Sequence, residues 1–433
     1  MSSGPFMAGL FLVMRLLVRF VLWIFYPRVT VIGEERLNFK EAAIVISNHP
    51  NTLMDPFQVA SRVRKQVFFL ANAGLFATPF TNWFFTTFYA IPIKRKEDKG
   101  GQGINNADSF AKCDAFLGAG GVLYVAPEGG SNMERRLRPF KTGTARIAFS
   151  AIQQYKDLDL SILPIGLNYD RPNRFRSRLL VHVGEPLKVR DWQAAYEENP
   201  KETVRTLTNQ LETNTRALLI DTGDAEVEEV HRQLESILRN EHPLVAAAEF
   251  QRSQQLAIHL KEKKAEEEAY YQGLKADVTA YAGLLDSDNV DDKTVKEGAK
   301  TRLGQGLGLL LGLPIFLYGA INHLFAAGIP AYVARKIDIY IGYQATVKAI
   351  TGLVTVPLFY YLQYKLVGWY LGSTWAWGYL LTLPLFAWVA WQYWGEWQSF
   401  RRRQSFQQLT QTKKEEIIQK RQTLLQHLST SLK

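Results

Sequence analysis

AAIVISNHPNTLMDP, residues 42–56, decides the fold class of this chain. Its first six residues form a short apolar run ending in Ser47, which suits a strand buried on both faces of a sheet. Two prolines shape the chain beyond that strand. Pro50 steers His49 away from helical dihedrals, and Pro56 does the same to Asp55. On one continuous helix, His49 and Asp55 would point about 120° away from each other. His49 therefore projects from a turn, and Asp55 stands at the entrance of the next helix with Pro56 in its first turn. Such a turn can fold back and bring imidazole to carboxylate. The pair would then be a general base: the imidazole accepts a hydroxyl proton, while the carboxylate sets its tautomer and steadies the developing cation. Spacing alone also allows a plainer reading, with Asp55 a helix cap and His49 an ordinary turn residue.

Outward from this stretch the pattern is α/β over residues 30–187. Strand-like runs occupy 42–47, 67–70, 90–94, 122–126, 161–168 and 179–184, with a helix expected over 142–155. Residues 75–89 are rich in aromatics, including Phe76, Phe80, Trp83, Phe84, Phe85, Phe88 and Tyr89. They read equally as core or as a surface against lipid or an acyl chain. Residues 189–300 read as polar helices. Lys263 and Lys264 sit four before Glu267 and Glu268, a solvated helical face. The acidic cluster Asp286, Asp288, Asp291 and Asp292 fails as a calcium loop, because Val290 and Asp291 stand where a ligand and a glycine are needed, and reads as a linker.

The two ends point to a membrane. Residues 6–26 are apolar except for Arg15 and Arg19, which share a helical face; an interfacial helix with arginines at the headgroups is expected, a single tilted span being the rival. Three apolar segments follow at 306–327, 350–370 and 375–393, each near the ~20 residues that cross hydrocarbon. Basic residues precede the first (Lys296, Lys300, Arg302), follow it (Arg335, Lys336) and follow the third (Arg401, Arg402, Arg403). With positive charge on the cytoplasmic side, the last two segments form a crossing hairpin. The first then re-enters, broken at Gly312 and Pro314, with a third crossing as the alternative. The organisation expected is an interfacial helix at 1–29, an α/β domain at 30–188, polar helices and linker at 189–300, membrane segments at 301–400 and a basic amphipathic tail helix at 401–433.

A net charge of +10 suits anionic lipid or nucleic acid; the apolar spans favour lipid, and no nucleic-acid-binding signature supports the other partner. The single cysteine, Cys113, excludes an internal disulfide and reads as an ordinary packed residue. The seven histidines show no metal-ligand spacing, so no metal is expected.

Three further motifs come after the first in order. Ile91-Pro92-Ile93-Lys94-Arg95-Lys96 places a basic triplet at a strand end. Val125-Ala126-Pro127-Glu128-Gly129-Gly130-Ser131 places an acid and two glycines at another, and Ile162-Leu163-Pro164-Ile165-Gly166-Leu167-Asn168-Tyr169 is a strand containing a proline. Together the four blocks, over residues 42–186, resemble the glycerophosphate acyltransferase superfamily. They look most similar to its fungal-type glycerol-3-phosphate and dihydroxyacetone-phosphate acyltransferases and their bacterial relatives. Three departures stand out. Five residues separate His49 from Asp55 where four are usual, Ala126 replaces a usual Phe, and Gly130-Ser131 replaces Thr-Arg. Arg135 or Arg136 is the nearest substitute for that missing arginine.

The resemblance implies that His49 and Asp55 are catalytic, that Lys94 and Arg95 hold a substrate phosphate, and that the Glu128, Gly129, Gly130 and Ser131 loop binds the acceptor. It also implies that Pro164 lines the acyl or acceptor side. A dianionic phosphate does require charge-assisted donors, and Arg95 offers a bidentate fork; contact with lipid headgroups is the other reading of Lys94–Lys96. Lys141 sits at a helix start, where an anion is welcome, and Arg174, Arg176 and Arg178 suit phosphate or membrane. The function implied is acyl transfer from an acyl-CoA or acyl-carrier-protein thioester to the sn-1 hydroxyl of glycerol 3-phosphate, or of dihydroxyacetone phosphate. No tightly bound cofactor and no acyl-enzyme are expected. The product would be lysophosphatidic acid for phospholipid synthesis. The protein would be integral to the membrane, with the catalytic domain on the cytoplasmic face (cytoplasmic membrane in a bacterium, endoplasmic reticulum in a eukaryote). The rivals are a lysophosphatidic acid acyltransferase and a catalytically dead scaffold or lipid-binding protein. A transporter lacks the inverted repeat and intramembrane charges expected of one.

Overall fold

The computed structural model describes residues 5–87, 90–94, 106–298 and 303–431. The chain divides into two compact units: Met1–Asp221 with Tyr340–Thr346, and Thr222–Ile339 with Val347–Lys433.

The first unit begins with helix α1 (Pro5–Phe25) and strand β1 (Arg28–Ile32), then runs β2 (Ala42–Ser47), α2 (Met54–Ala60), β3 (Val67–Asn72), α3 (Pro79–Thr87) and β4 (Ala90–Ile93). It continues with α4 (Asn106–Gly118), β5 (Val122–Val125), α5 (Gly143–Gln154), β6 (Leu160–Tyr169), β7 (Arg178–Val183), β8 (Leu187–Lys188), α6 (Gln193–Glu198) and α7 (Pro200–Arg216). The sheet order is β1-β7-β6-β2-β5-β3-β4, with β8 also on β6. Every pairing is parallel except those of β7 and β8 with β6. All six residues of β2 are buried, as a central strand covered on both faces requires. One face is covered by α4, α5 and α7, whose Leu117, Ile147, Phe149, Leu207 and Leu211 pack with Ile44, Ile46 and Leu123. The parallel strands β2, β5, β3 and β4 point their carboxyl ends the same way, so the loops after them share one rim, where ligands of such sheets bind.

Strands β1 and β8 carry no turn-bounded apolar run long enough to be read from sequence, and the structure adds them. It also moves the domain boundary from 188 to 221. Gly166 lies so close to the Leu218 carbonyl that a Cβ there would sit 2.2 Å from it. Asn168 clamps the same stretch through Leu218 O at 3.0 Å and Ile220 N at 2.9 Å.

Helix α1 departs from expectation. Its arginines do not lie free for headgroups: Arg15 donates to the carbonyls of Val63 (2.6 Å) and Arg64 (3.2 Å), and Arg19 donates twice to that of Ser61. The guanidinium groups thus satisfy the orphan carbonyls after the end of α2, which attract cations. Leu12, Leu16, Phe20 and Trp23 remain exposed on α1.

The second unit contains α8 (Ala225–Glu241), α9 (Ala246–Glu266), α10 (Glu268–Ser287), α11 (Asp292–Glu297), α12 (Leu303–Lys336), α13 (Gln344–Leu371, whose first turn belongs to the other unit), α14 (Ser373–Gln408) and α15 (Gln411–Ser431). Three expectations are corrected here. First, α12 runs unbroken through Pro314 and Pro330, because a proline removes one intrahelical bond without ending a long helix. Second, α12 pairs closely with α14, a packing that the expected hairpin of α13 and α14 did not include. The reason is small residues at the crossing: a Cβ on Gly319 would lie 2.3 Å from the Phe386 carbonyl. Tyr393 donates to Leu309 O at 2.9 Å, and Tyr379 to Asn322 Oδ1 at 2.5 Å, so the two helices run antiparallel. Third, α14 carries Arg401–Arg403 within it, and α15 buries Ile417, Leu424 and Leu428 among Val230, Leu234 and Tyr271 of the polar helices. The tail is therefore part of a helical core. The acidic stretch is a junction rather than a linker: Asp291 caps α11 and pairs with Arg402 at 2.6 Å, and Asp292 holds buried Arg421 at 2.8 Å. Lys263 pairs with Glu267 as its spacing suggests, while Lys264 reaches Asp224 instead of Glu268.

Candidate active site

Strand β2 delivers Asn48 and His49 to the rim. Asn48 locks the exit of the strand by bonding both backbone groups of Leu167, donating to O at 3.0 Å and accepting from N at 2.8 Å. The turn then folds back, and His49 Nδ1 lies 3.0 Å from Asp55 Oδ2. A carboxylate only accepts, so Nδ1 carries the proton and Nε2 keeps its lone pair. Asp55 is fully buried. Its Oδ2 also takes the Asn51 N–H at 2.6 Å, and its Oδ1 takes the Tyr169 hydroxyl at 2.9 Å. Burial pushes the Asp55 carboxyl above its ordinary range, opposed by the bonds from His49, Asn51 and Tyr169. The Asn51 side chain is anchored in turn on Tyr26 Oη (2.5 Å) and Pro172 O (2.8 Å). Between the partners sits Thr52 at φ +41°, a left-handed conformation that costs a β-branched residue ~1–2 kcal/mol.

The loop after β5 braces this turn. Glu128 accepts the His49 N–H at 2.8 Å and the Arg138 N–H at 3.1 Å, and the Asn132 N–H donates to His49 O at 2.9 Å. Both backbone groups of His49 are therefore held by one loop. Burial raises the Glu128 carboxyl as well, with the amides of Arg138 and His49 pulling the other way. Gly129 has φ +74°, and a Cβ there would lie 2.8 Å from the methylenes of Lys141. Ser131 Oγ takes the Thr52 N–H at 3.2 Å.

Beside the dyad opens a cavity of about 820 Å³, within the range of ligand sites. Leu53, Phe57, Val67, Phe69, Phe84 and Phe85 give it an apolar wall, so two of the aromatics of α3 face the cavity while Trp83 stays exposed. Four cations reach it: Arg15, Lys94, Lys141 and Arg146. Lys94 is fixed by Asn106, which bonds its N and its O at 2.9 Å each. Lys141 and Arg146 lie at the start of α5, beside buried Thr144, whose hydroxyl has no hydrogen-bond partner among the described residues.

His49, Lys94, Gly129 and Lys141 thus share one cavity. The remaining expected residues that the structure describes do not line it. Arg95, like Phe88 and Tyr89, lies outside the described residues. Glu128, Gly130 and Ser131 stand behind the wall, and Glu128 holds backbone amides instead of an acceptor. Pro164 is buried in β6, opposite Ile46 of β2 and between the segments paired with β8 and β7. Its carbonyl takes the Gly184 N–H, and the donor it lacks would face that same interrupted edge, where a proline is tolerated. Arg178 pairs with Asp170 at 2.9 Å, tying the loop between β6 and β7, and Arg176 turns that loop at φ +60° with its N–H on Phe25 O. Arg136 pairs with Glu134, and neither Arg135 nor Arg136 lines the cavity. Cys113 is buried, and burial, aided by Asp114, pushes its thiol up to about 12.

Sequence reading missed Asn51, Arg146, Thr144 and the role of Tyr169. Tyr169 was signalled: it ends a strand parallel to β2, so it emerges beside His49. Among the described residues no group of three or more His, Cys, Asp or Glu side chains is placed to hold a metal ion.

Comparison with known proteins bears on this geometry. Residues 28–168 match the family described as Acyltransferase. Over 195 residues the chain is 27% identical to glycerol-3-phosphate O-acyltransferase 1 of Saccharomyces cerevisiae, covering 43% of this chain and 25% of the yeast protein. Over 174 residues it is 25% identical to 1-acyl-sn-glycerol-3-phosphate acyltransferase of Borreliella burgdorferi, covering 40% of this chain and 64% of that one. Among solved structures, the 1-acyl-sn-glycerophosphate (LPA) acyltransferase PlsC of Thermotoga maritima aligns with TM-score 0.36 and 18% identity, covering 50% of this chain and 82% of that chain. The matched stretch is about a quarter of the yeast relative's length. Residues 28–168 thus carry an acyltransferase-family domain, similar in sequence to enzymes that acylate glycerol 3-phosphate and its monoacylated form.

Proposed function

We propose that this protein transfers an acyl chain from a thioester to the sn-1 hydroxyl of glycerol 3-phosphate. One observation carries the reading: a histidine–aspartate base opens onto a largely apolar cavity that also holds cations. His49 Nε2 takes the acceptor's hydroxyl proton, and the oxygen attacks the thioester carbonyl. The tetrahedral intermediate collapses as the C–S bond breaks, and the proton passes from Nε2 to the leaving sulfur, which departs as the thiol and returns His49 to its starting form. Asp55 steadies the imidazolium between these steps without taking its proton. The acceptor phosphate sits at the start of α5 between Lys141 and Arg146, where amide dipole and charge favour an anion, with Lys94 after β4 as a further cation. The acyl chain lies along the Phe57, Phe69 and Phe84 wall. The thioester is acyl-CoA or acyl-carrier protein.

Membrane residence accords with the insolubility of the product. Gly304–Lys336 and Ile341–Leu371 are long and apolar enough to cross, and the exposed face of α1 lies on lipid with the catalytic unit cytoplasmic. A second reading, acylation of 1-acylglycerol 3-phosphate, is favoured by one observation: the Borreliella relative is matched over the larger share of its own length.

The test offers the purified full chain glycerol 3-phosphate, dihydroxyacetone phosphate and 1-acylglycerol 3-phosphate side by side, with acyl-CoA and acyl-carrier-protein donors. Glycerol 3-phosphate is expected to react fastest, and His49→Ala to lower kcat by about 10³-fold. Preference for the monoacylated acceptor moves the assignment to the second reading. Unchanged transfer in His49→Ala removes the mechanism.

A further inference from the structure

Seven residues far away in sequence belong to the catalytic unit: Tyr340–Thr346, which run from the turn after α12 into the first residues of α13. This segment touches three of the loops that build the site. The Met133 N–H, two residues beyond Ser131, donates to Tyr340 Oη at 2.9 Å. Thr52 Oγ1 donates to Gly342 O at 3.2 Å and takes the Thr346 hydroxyl at 3.2 Å. Asn173 Nδ2 donates to Gln344 Oε1 at 3.3 Å, and Tyr343 enters the cavity wall. A Cβ on Gly342 would lie 2.5 Å from the Tyr340 ring, so only glycine lets that ring fold over the short turn Ile341–Tyr343.

The decisive contact is Thr52. It holds a left-handed backbone, comes directly after the amide of Asn51 that binds Asp55, and precedes the helix that carries Asp55. A strained residue keeps such a conformation only where its surroundings over-determine it. Ser131 holds its N–H, and the hydroxyl is held from the 340–346 segment on both its donor and its acceptor side. We propose that Tyr340–Thr346 is a strap that positions the catalytic turn, with Thr346, Gly342 and Tyr340 as positioning residues for the His49–Asp55 base. The strap runs on into α13, one of the two helices long and apolar enough to cross a membrane, so the chain itself joins the catalytic turn to that helix. The kinetic consequence rests on the acyl-transfer reading; the docking of the strap does not.

The experiment uses the full chain in detergent micelles, with Thr346→Val, Thr346→Ser and Tyr340→Phe. Two quantities are read: kcat and acceptor KM for glycerol 3-phosphate, and amide hydrogen exchange over residues 48–56 and 129–136. Thr346→Val keeps the shape and removes the hydroxyl. It is expected to lower kcat about tenfold with acceptor KM within twofold, as misplacement of a base does, and to speed exchange over 48–56. Thr346→Ser restores both. Tyr340→Phe speeds exchange over 129–136 and lowers kcat less. Unchanged kcat in Thr346→Val overturns positioning, and so does a fall in kcat that Thr346→Ser fails to restore. If the wild type acylates none of the acceptors, the functional reading fails and exchange alone decides: faster exchange in Thr346→Val upholds the strap, and unchanged exchange overturns it.

Discussion

The catalytic turn and the crossing of α12 with α14 both bury polar groups, by opposite means. Around His49 and Asp55 the central bonds end on carboxylates: the His49 ring, the Asn51 amide and Tyr169 on Asp55, and the His49 amide on Glu128. Neutral bonds from Tyr26 and the 340–346 strap brace them. Along α12 the partners are neutral amides and hydroxyls: Asn322 with Tyr379, and Tyr318 with Thr382. A buried carboxylate needs several donors to stay charged, whereas neutral pairs satisfy one another and serve as glue between helices. Polar burial at the first site thus sets reactivity, and at the second it sets pairing.

Substitutions can break or sharpen this contrast. The largest effect in this set is expected at Glu128. Glu128→Gln can still accept one amide, but its NH2 group faces the Arg138 N–H. We expect kcat to fall about 10- to 100-fold with acceptor KM nearly unchanged, since a displaced base lowers turnover rather than binding. A raised KM at constant kcat would return Glu128 to acceptor binding. A smaller effect is expected for Tyr169→Phe, which removes a donor that lowers the Asp55 carboxyl. The dyad needs that carboxyl ionised. It also needs His49 Nε2 free of a proton, so activity should fall with decreasing pH as the His49–Asp55 pair takes up a second proton. In Tyr169→Phe the carboxyl holds protons more tightly and this acid limb should move to higher pH, with kcat at its plateau about tenfold lower. A limb that stays in place or moves down would remove Tyr169 from the base. Smallest is Asn322→Leu in the helix pair. It should leave kcat and the pH profile as they are and lower unfolding stability by about 0.6 kcal/mol, read from thermal unfolding in detergent. A kinetic effect there would erase the distinction between the two regions.

The candidate site was half legible. The two prolines showed that His49 and Asp55 could meet, because a turn between a strand and a helix is a local object, and the three further motifs in order favoured the pair over a cap and a plain turn residue. Lys141 was legible for a similar reason, standing at the start of a helix. Glu128 was visible as a motif residue but assigned to the wrong partner: its type and position do not say which amides its oxygens meet, and those belong to His49 and Arg138. The arginines of α1 were misread in the same way. Their helical spacing was plain, but the carbonyls they satisfy, after α2, lie more than forty residues on. Pro164 was read as a wall residue, and its place at the break between two neighbouring strands exists only once β7 and β8 are both paired.

What the chain's order of residues determined alone was everything governed by neighbours: the buried strand β2, the turn after it, the α/β alternation up to β7, and the length and apolarity of α12 and α13. Those rest on dihedral preference and periodicity, which act over a few residues. Only the tertiary structure decided that α12 pairs with α14, that Glu128 braces rather than binds, and that residues 340–346 reach the catalytic turn. These are contacts between distant segments, set by which polar groups find partners as the surfaces close, and no local pattern encodes that choice.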